Sequence, residues 1–143
     1  MKNILFIIFV ILFISCTKGS IKPVSDLIKK NWAAKNINEN NLEVFSIDGS
    51  NNIRQGYFQF KLNLSLGSVI FTDFDGTTFT GQWEISTDEK TLILLNLNPL
   101  PTGTNGQIEF SINSITDIEL VLTRITANPK TGNTSTTYIL TSN

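Results

Sequence analysis

The sequence predicts an all-β domain, an antiparallel up-and-down barrel preceded by a short N-terminal helix. Three observations predict it. From Trp32 onward Phe, Ile, Thr, Val, Trp and Tyr dominate, and alanine occurs only at 33, 34 and 127. Apolar and polar residues alternate with period two over several segments. Turn-forming dipeptides and all four prolines fall between those segments, as ladder hydrogen bonding demands.

The elements follow in order. Val24 to Lys30 supports one or two helical turns, with Ser25 and Asp26 near the start and Lys29 and Lys30 at the end. Strands are expected near 32–38, 42–47, 55–65, 68–74, 77–86, 90–97, 107–115, 117–126 and 134–141. In the third, Phe58, Phe60, Leu62, Leu64 and Leu66 oppose Tyr57, Gln59, Lys61, Asn63 and Ser65. In the fifth, Phe79, Gly81, Trp83 and Ile85 oppose Thr78, Thr80, Gln82, Glu84 and Ser86. In the seventh, Ile108, Phe110 and Ile112 oppose Gln107, Glu109, Ser111 and Asn113. One apolar and one polar face per strand suit an antiparallel sheet with a single buried side. Asp48-Gly49 and Asp75-Gly76 are expected as tight turns, Asp88-Glu89-Lys90 as a polar turn, and 98–106 and 128–133 as longer loops. No helix is long enough for a parallel crossover. A meander of eight or nine strands removes its edges by closing into a barrel, and a sandwich is the alternative.

Composition excludes several chemistries. The 143 residues include no histidine and one cysteine, with 11 Lys+Arg against 12 Asp+Glu and a net charge of -1. Without histidine there is no Ser-His-Asp or Cys-His nucleophile machinery and no histidine metal site. One cysteine makes no intrachain disulfide framework and no Cys-rich zinc site. The charge balance lacks the basic footprint of nucleic-acid binding. No cofactor or metal is expected.

The lone cysteine stands at a telling place. Lys2 supplies a positive start, Ile4 to Ile14 is an unbroken apolar run, and Ser15 is a small residue before Cys16. That pattern describes a secretory signal peptide. The run is too short to cross a bilayer as a helix, which needs about 20 residues. Phe13-Ile14-Ser15-Cys16 resembles a bacterial lipoprotein signal, with a departure at Phe13, where leucine is commonest, and a bulky Ile14. The resemblance implies that residues 1–15 are a removed signal peptide and that Cys16 is acylated. Residues 16–28 then form a lipidated tether and 29–143 the barrel. Acyl chains bind membrane with about 0.8 kcal/mol per buried CH2. A plain signal peptide or an uncleaved anchor is the alternative.

Lys30-Asn31-Trp32, Phe71-Thr72-Asp73-Phe74-Asp75-Gly76-Thr77 and Thr80-Gly81-Gln82-Trp83-Glu84-Ile85-Ser86 follow one another along the mature chain. Leu92-Ile93-Leu94, Leu120-Val121-Leu122 and Tyr138-Ile139-Leu140 complete the set. In these residues and their order the chain resembles the lipocalin-like domains of small Bacteroidetes lipoproteins. One departure is Asn31, where the first strand usually has glycine before its Trp. The resemblance implies an eight-stranded barrel with Trp32 at its closed end. Surface lipoproteins of this lineage tend to carry acidic residues just after the cysteine. Thr17-Lys18-Gly19-Ser20 has none, so the expected location is the cell envelope, at the outer membrane facing the periplasm.

Trp32, Phe58, Phe60, Phe79, Trp83 and Phe110 are the candidate ligand-binding residues of the barrel interior. They either wall a pocket for a small apolar ligand or form a packed core. An eight-stranded barrel is just wide enough for its own side chains to fill, and both cases share one periodicity. Asp73 and Asp75 suggest a hydrolytic carboxylate pair or a calcium site. Gly76 follows Asp75 directly, which breaks EF-hand spacing and explains the dipeptide as a turn. Glu84, Glu109 and Glu119 are expected on outward faces. Arg54 and Arg124, the only arginines, are expected as solvated surface residues. Asn63 and Asn133 are chance N-x-[ST] matches in an Asn- and Thr-rich chain.

The function expected is a non-enzymatic, lipid-anchored envelope protein. It would bind a small hydrophobic ligand in the barrel or a protein partner at the loops. A second form is an accessory subunit of an envelope complex with a filled barrel. A small hydrolase using Asp73 and a second acid is the alternative from a different class.

Overall fold

The computed structural model describes residues 22–143; the signal sequence, Cys16 and the tether as far as residue 21 lie outside the described residues. One short helix, α1 (Val24–Leu27), precedes nine strands. They are β1 (Asn31–Glu39), β2 (Leu42–Ser46), β3 (Lys61–Ser65), β4 (Ser68–Thr72), β5 (Thr78–Ile85), β6 (Thr91–Asn98), β7 (Ile108–Ile115), β8 (Glu119–Arg124) and β9 (Thr136–Ser142). Their order in the sheet is β2-β1-β3-β4-β5-β6-β7-β8-β9, and β9 pairs back onto β1.

That last pairing closes the barrel. β1 lies antiparallel to β9 from Trp32 opposite Ser142 to Glu39 opposite Thr136. The other edge of β1 is divided. Asn31, Trp32 and Ala33 pair with β3, while Asn36 to Glu39 pair with β2. The closed ring therefore has eight strands, and β2 is an extra arm along the second half of β1. The all-β, eight-stranded antiparallel barrel with a short N-terminal helix is the fold the sequence predicts, and closure excludes the sandwich.

Inward side chains follow the alternation. Leu62, Leu64, Phe71, Phe79, Leu92, Leu94, Ile108, Phe110, Leu120, Leu122, Tyr138 and Leu140 are all buried. Bulges interrupt the ladder between Ala34 and Asn36 and between Thr80 and Gln82. At the second bulge Gly81 is needed, because a Cβ there would sit 2.5 Å from the Leu95 carbonyl oxygen.

Three local expectations are corrected. Residues 55–59 are not strand but a 3-10 turn, Gln55–Gln59. Its i to i+3 bonds eclipse Tyr57 and Phe60 on one side, so both point inward and are fully buried. Phe58 therefore points out and is 69% exposed, against the expected inward facing. Leu66 belongs to the β3–β4 turn and is exposed too. The β1–β2 hairpin turns at Asn40 and Asn41, both left-handed with φ of 50° and 65°. Asp48-Gly49 only leads out of β2, while Asp75-Gly76 does turn between β4 and β5, with Gly76 at φ 81°.

One end of the barrel is closed by α1. Trp32 is 1% exposed, and its Nε1 donates to the Ile28 carbonyl at 2.8 Å, with Ile28 itself buried. Trp83, near the same end, is half-buried against the core and donates from Nε1 to the Ser65 carbonyl at 2.7 Å. Trp32→Ala should destabilise the protein by about 3–5 kcal/mol, and Trp83→Ala by roughly half as much. Urea denaturation with an unchanged m-value checks both; equal losses would contradict the difference in burial.

Candidate functional site

The bore is filled. The Tyr138 ring lies 4.8 Å from that of Phe60, 5.8 Å from Phe110 and 6.2 Å from Tyr57. Phe71 stands 5.5 Å from both Phe60 and Phe79. These six rings cross the interior from β9 and β7 to β4 and β5 at the spacing of packed aromatic pairs. Of the six candidate ligand residues, Phe60, Phe79 and Phe110 thus belong to one packed cluster. Trp32 lies at the α1 end, Trp83 is half-buried, and Phe58 is on the outside. Two clefts, about 440 and 160 Å3, are lined by other sets. The larger runs along Gly103, Thr104, Asn105, Gln107, Glu109 and Thr126. The smaller touches the buried Trp32 and Leu62 and otherwise follows Asn31, Lys61, Asn63, Ile70, Thr72 and Asn143.

Polar chemistry collects at the end opposite α1, which periodicity alone did not reveal. Glu39 closes β1 and is buried. Arg54 donates to it twice, Nε to Oε1 at 2.8 Å and an Nη nitrogen to Oε2 at 3.0 Å. The Tyr57 hydroxyl donates to the same Oε1 at 2.8 Å. Such a bidentate pair with a third donor meets the desolvation cost of a buried carboxylate. The Glu39 bonds raise the Arg54 pKa, against the opposing pull of burial. Burial, the neighbouring Tyr138 and the Glu39 carboxylate push the Tyr57 hydroxyl far above its ordinary value.

A second buried carboxylate, Asp73, sits across the barrel end. Lys130, from the loop 125–135, donates to Asp73 Oδ2 at 3.2 Å and to Asp75 Oδ2 at 2.7 Å. Its ammonium also lies 5.6 Å from the centre of the Phe79 ring. The loop is therefore clamped over the barrel end as a lid. Its 3-10 turn Pro129–Thr131 starts at Asn128, whose side-chain oxygen accepts from the Lys130 N–H at 3.2 Å. Pro129 packs on Gly103, where a Cβ would come within 2.6 Å of the proline ring. Asn40 and Ser135 exchange two bonds, at 2.8 and 3.0 Å, tying the lid to the β1–β2 hairpin.

Burial pushes the Asp75 carboxyl up, but the Lys130 and Thr77 bonds outweigh it and hold the pKa below the ordinary value. A carboxyl held ionised is a poor proton donor near neutral pH, so Asp75 does not suit the acid role of a hydrolase pair. Burial pulls the Lys130 pKa down, and the two aspartates outweigh that and raise it. Glu109 and Glu119 are half-buried, and Glu84 is exposed. Arg124 departs most from expectation: it is 8% exposed and faces inward. Among the described residues no three His, Cys, Asp or Glu side chains gather as a metal site, and no helix is long and apolar enough to cross a membrane.

The chain is similar to a solved lipocalin-like protein from Bacteroides uniformis, at 15% identity with a TM-score of 0.52. The match covers 82% of this chain and 99% of that one. A solved, uncharacterized protein from Bacteroides eggerthii aligns at 14% identity and a TM-score of 0.49, over 80% of this chain and 98% of its own. No protein-family profile matches the chain, and no curated protein does. The fold is lipocalin-like.

The clamp has a definite pH dependence. Asp75 has a depressed folded pKa, so its contribution is present above its ordinary value of 3.8 and is lost as pH falls through the lower folded value. Lys130 has a raised one, so its contribution is complete below 10.5 and is lost as pH rises through the higher folded value. Lys130→Met leaves the Asp73 carboxylate buried without its cation and should cost about 2–4 kcal/mol at neutral pH. The deficit should shrink in acid, as pH falls through the depressed folded value of Asp75 and that partner of Lys130 loses its charge. Urea midpoints at neutral and acid pH measure this; a constant deficit would assign the loss to packing instead.

Proposed function

We propose that this protein is a lipid-anchored envelope protein that acts by binding rather than catalysis, and that it meets a protein partner with the loops opposite α1. The observation that carries the reading is the filled bore. Rings 4.8 to 5.8 Å apart leave the interior to the protein's own side chains, so the reading of a small apolar ligand held inside gives way to the filled-barrel form. Binding then falls to the outer surface.

The distribution of exposed apolar side chains supports this. Leu42, Ile53, Phe58, Leu100 and Ile125 are exposed, and all belong to the hairpin, turn and loops around the lid end. Phe58 contributes most, since a large ring held outward by a rigid turn is an expensive feature unless something covers it.

The anchor gives the barrel a direction. Acylated Cys16 would stand at the membrane, and the stretch from it to Lys22 spans no more than about 20 Å. Lys22 pairs with Asp117 at the α1 end, at 3.3 Å. That end then faces the bilayer, with exposed Leu66 and Ile118 at its turn tips. The lid end faces away, into the periplasm for a protein of the outer membrane's inner face.

Cys16→Ser should move the protein from the membrane fraction to the soluble one; a variant that still sediments with membrane after a high-salt wash defeats the anchor. Photo-crosslinking residues placed at Ile53 and Phe58 in living cells should each give the same discrete protein adduct, and placed at Leu66 and Ile118 should not. An adduct confined to the α1 end, or none from the lid end, would overturn the partner reading.

A further inference from the structure

Arg124 is a buried cation without a counter-charge in contact. It ends β8, faces inward and is 8% exposed. Among the described residues its Nε donates to the Thr126 carbonyl at 2.9 Å, and it takes part in no ion pair. The two buried carboxylates of this end are already engaged, Glu39 by Arg54 and Asp73 by Lys130. The Nη groups of Arg124 are not sealed from solvent, so an anion that reaches them would meet a guanidinium already drawn largely into the fold.

Two further buried groups share this end and make no well-formed hydrogen bond among the described residues: the Tyr138 hydroxyl and the Asn128 side-chain nitrogen. Register places them. Arg124 stands opposite Phe110, and Leu122 stands opposite Tyr138, so Arg124 lies one inward layer beyond Tyr138 toward the lid. Asn128 begins the lid turn itself. The Tyr138 hydroxyl lies beside the guanidinium: burial pushes its pKa up to about 12 and the Asp73 charge adds to that, while the charge of Arg124 and the nearness of the Arg124 and Thr136 side chains as hydrogen-bonding groups pull it down.

All three groups can donate, and two of them only donate. Such a set selects an acceptor, and the uncompensated charge selects an anion. A carboxylate suits the planar guanidinium fork, with its two oxygens free to take the remaining donors. A phosphate dianion suits it less, because Asp73 and Glu39 bring negative charge to the same barrel end. The packed rings of Phe110 and Tyr138 below restrict the ligand to a short one. We propose that the lid covers a binding site for the carboxylate of a small organic acid, held by Arg124 with Tyr138 and Asn128 as further donors. Neither the lipid anchor nor the apolar rim enters this site.

The test is thermal unfolding of the purified full-length protein in non-ionic detergent at neutral pH. Sodium acetate and sodium propionate are compared with sodium chloride and sodium phosphate at equal ionic strength. A saturable rise in Tm is expected with the two carboxylates and not with chloride or phosphate. Tyr138→Phe removes a buried hydroxyl that makes no well-formed hydrogen bond among the described residues, so its Tm without ligand should hold or rise. Its half-saturating carboxylate concentration should rise about tenfold, the loss of one hydrogen bond to a charged group. Arg124→Gln should abolish the response; if that variant does not fold, Tyr138→Phe alone decides. No carboxylate response in the parent, an equal response to phosphate, or a response untouched by Tyr138→Phe would each overturn the proposal.

Discussion

The ring of Tyr138 is the contact around which this barrel closes. It sits on β9, the strand that pairs with both β8 and β1 and so joins the two ends of the meander. From there it reaches Phe110 on β7, Phe60 at the start of β3 and Tyr57 in the 3-10 turn. One side chain thus ties the closing strand to the opposite wall. Aromatic rings bury 150–250 Å2 each, and few residue types could fill an eight-stranded bore so completely. The local geometry of the turn follows from that demand. Tyr57 and Phe60 must both enter the core three residues apart, and a 3-10 turn brings such residues to one side where a strand cannot.

Burying charge imposes the second constraint. Glu39 ends β1, and Asp73 follows β4, both at the end where the barrel has no helix to cover it. Each receives its cation from a loop: Arg54 from the segment after β2, Lys130 from the segment after β8. The loops are held in place because the buried carboxylates beneath them need partners. Arg124 stands outside this scheme. Among the described residues it is in no ion pair, and on the proposal above that difference separates a structural charge from a recognition charge.

Much of the fold was legible because period-two alternation reports burial directly. The strands containing Phe79 and Phe110 follow the expected facing, and the Asp75-Gly76 turn falls where a left-handed glycine is needed. The alternation failed at Phe58 for a physical reason. Over residues 57–60 the patterns of period two and period three both fit Phe60, and only tertiary packing decides for Tyr57 against Phe58. The β1–β2 turn at Asn40-Asn41 was less visible than Asp48-Gly49, although asparagine accepts the left-handed region nearly as readily. The polar end was the least legible part. Arg54 and Arg124 look alike in sequence, yet one lies over Glu39 and the other points into the barrel. Nothing local to either residue says which, because the difference arises from strand register and from what the distant loops bring.

The lid links the two surfaces on which this protein can act. Ile125 on the rim, Asn128 beside the buried donors and Lys130 in the clamp belong to one short loop. On the proposal above, a ligand enters beneath that loop when Lys130 releases Asp73 and Asp75, so its apparent affinity is the intrinsic affinity reduced by the fraction of open lid. A partner that binds the rim with a preference for one lid position changes that fraction. By linkage, whatever factor the partner imposes on binding beneath the lid is imposed in return on the partner. A solid barrel therefore need not be a passive one. With its bore given over to packing, the lipocalin-like scaffold gathers its buried charges at one loop-covered end, where the two kinds of binding proposed here would be coupled through the same few residues.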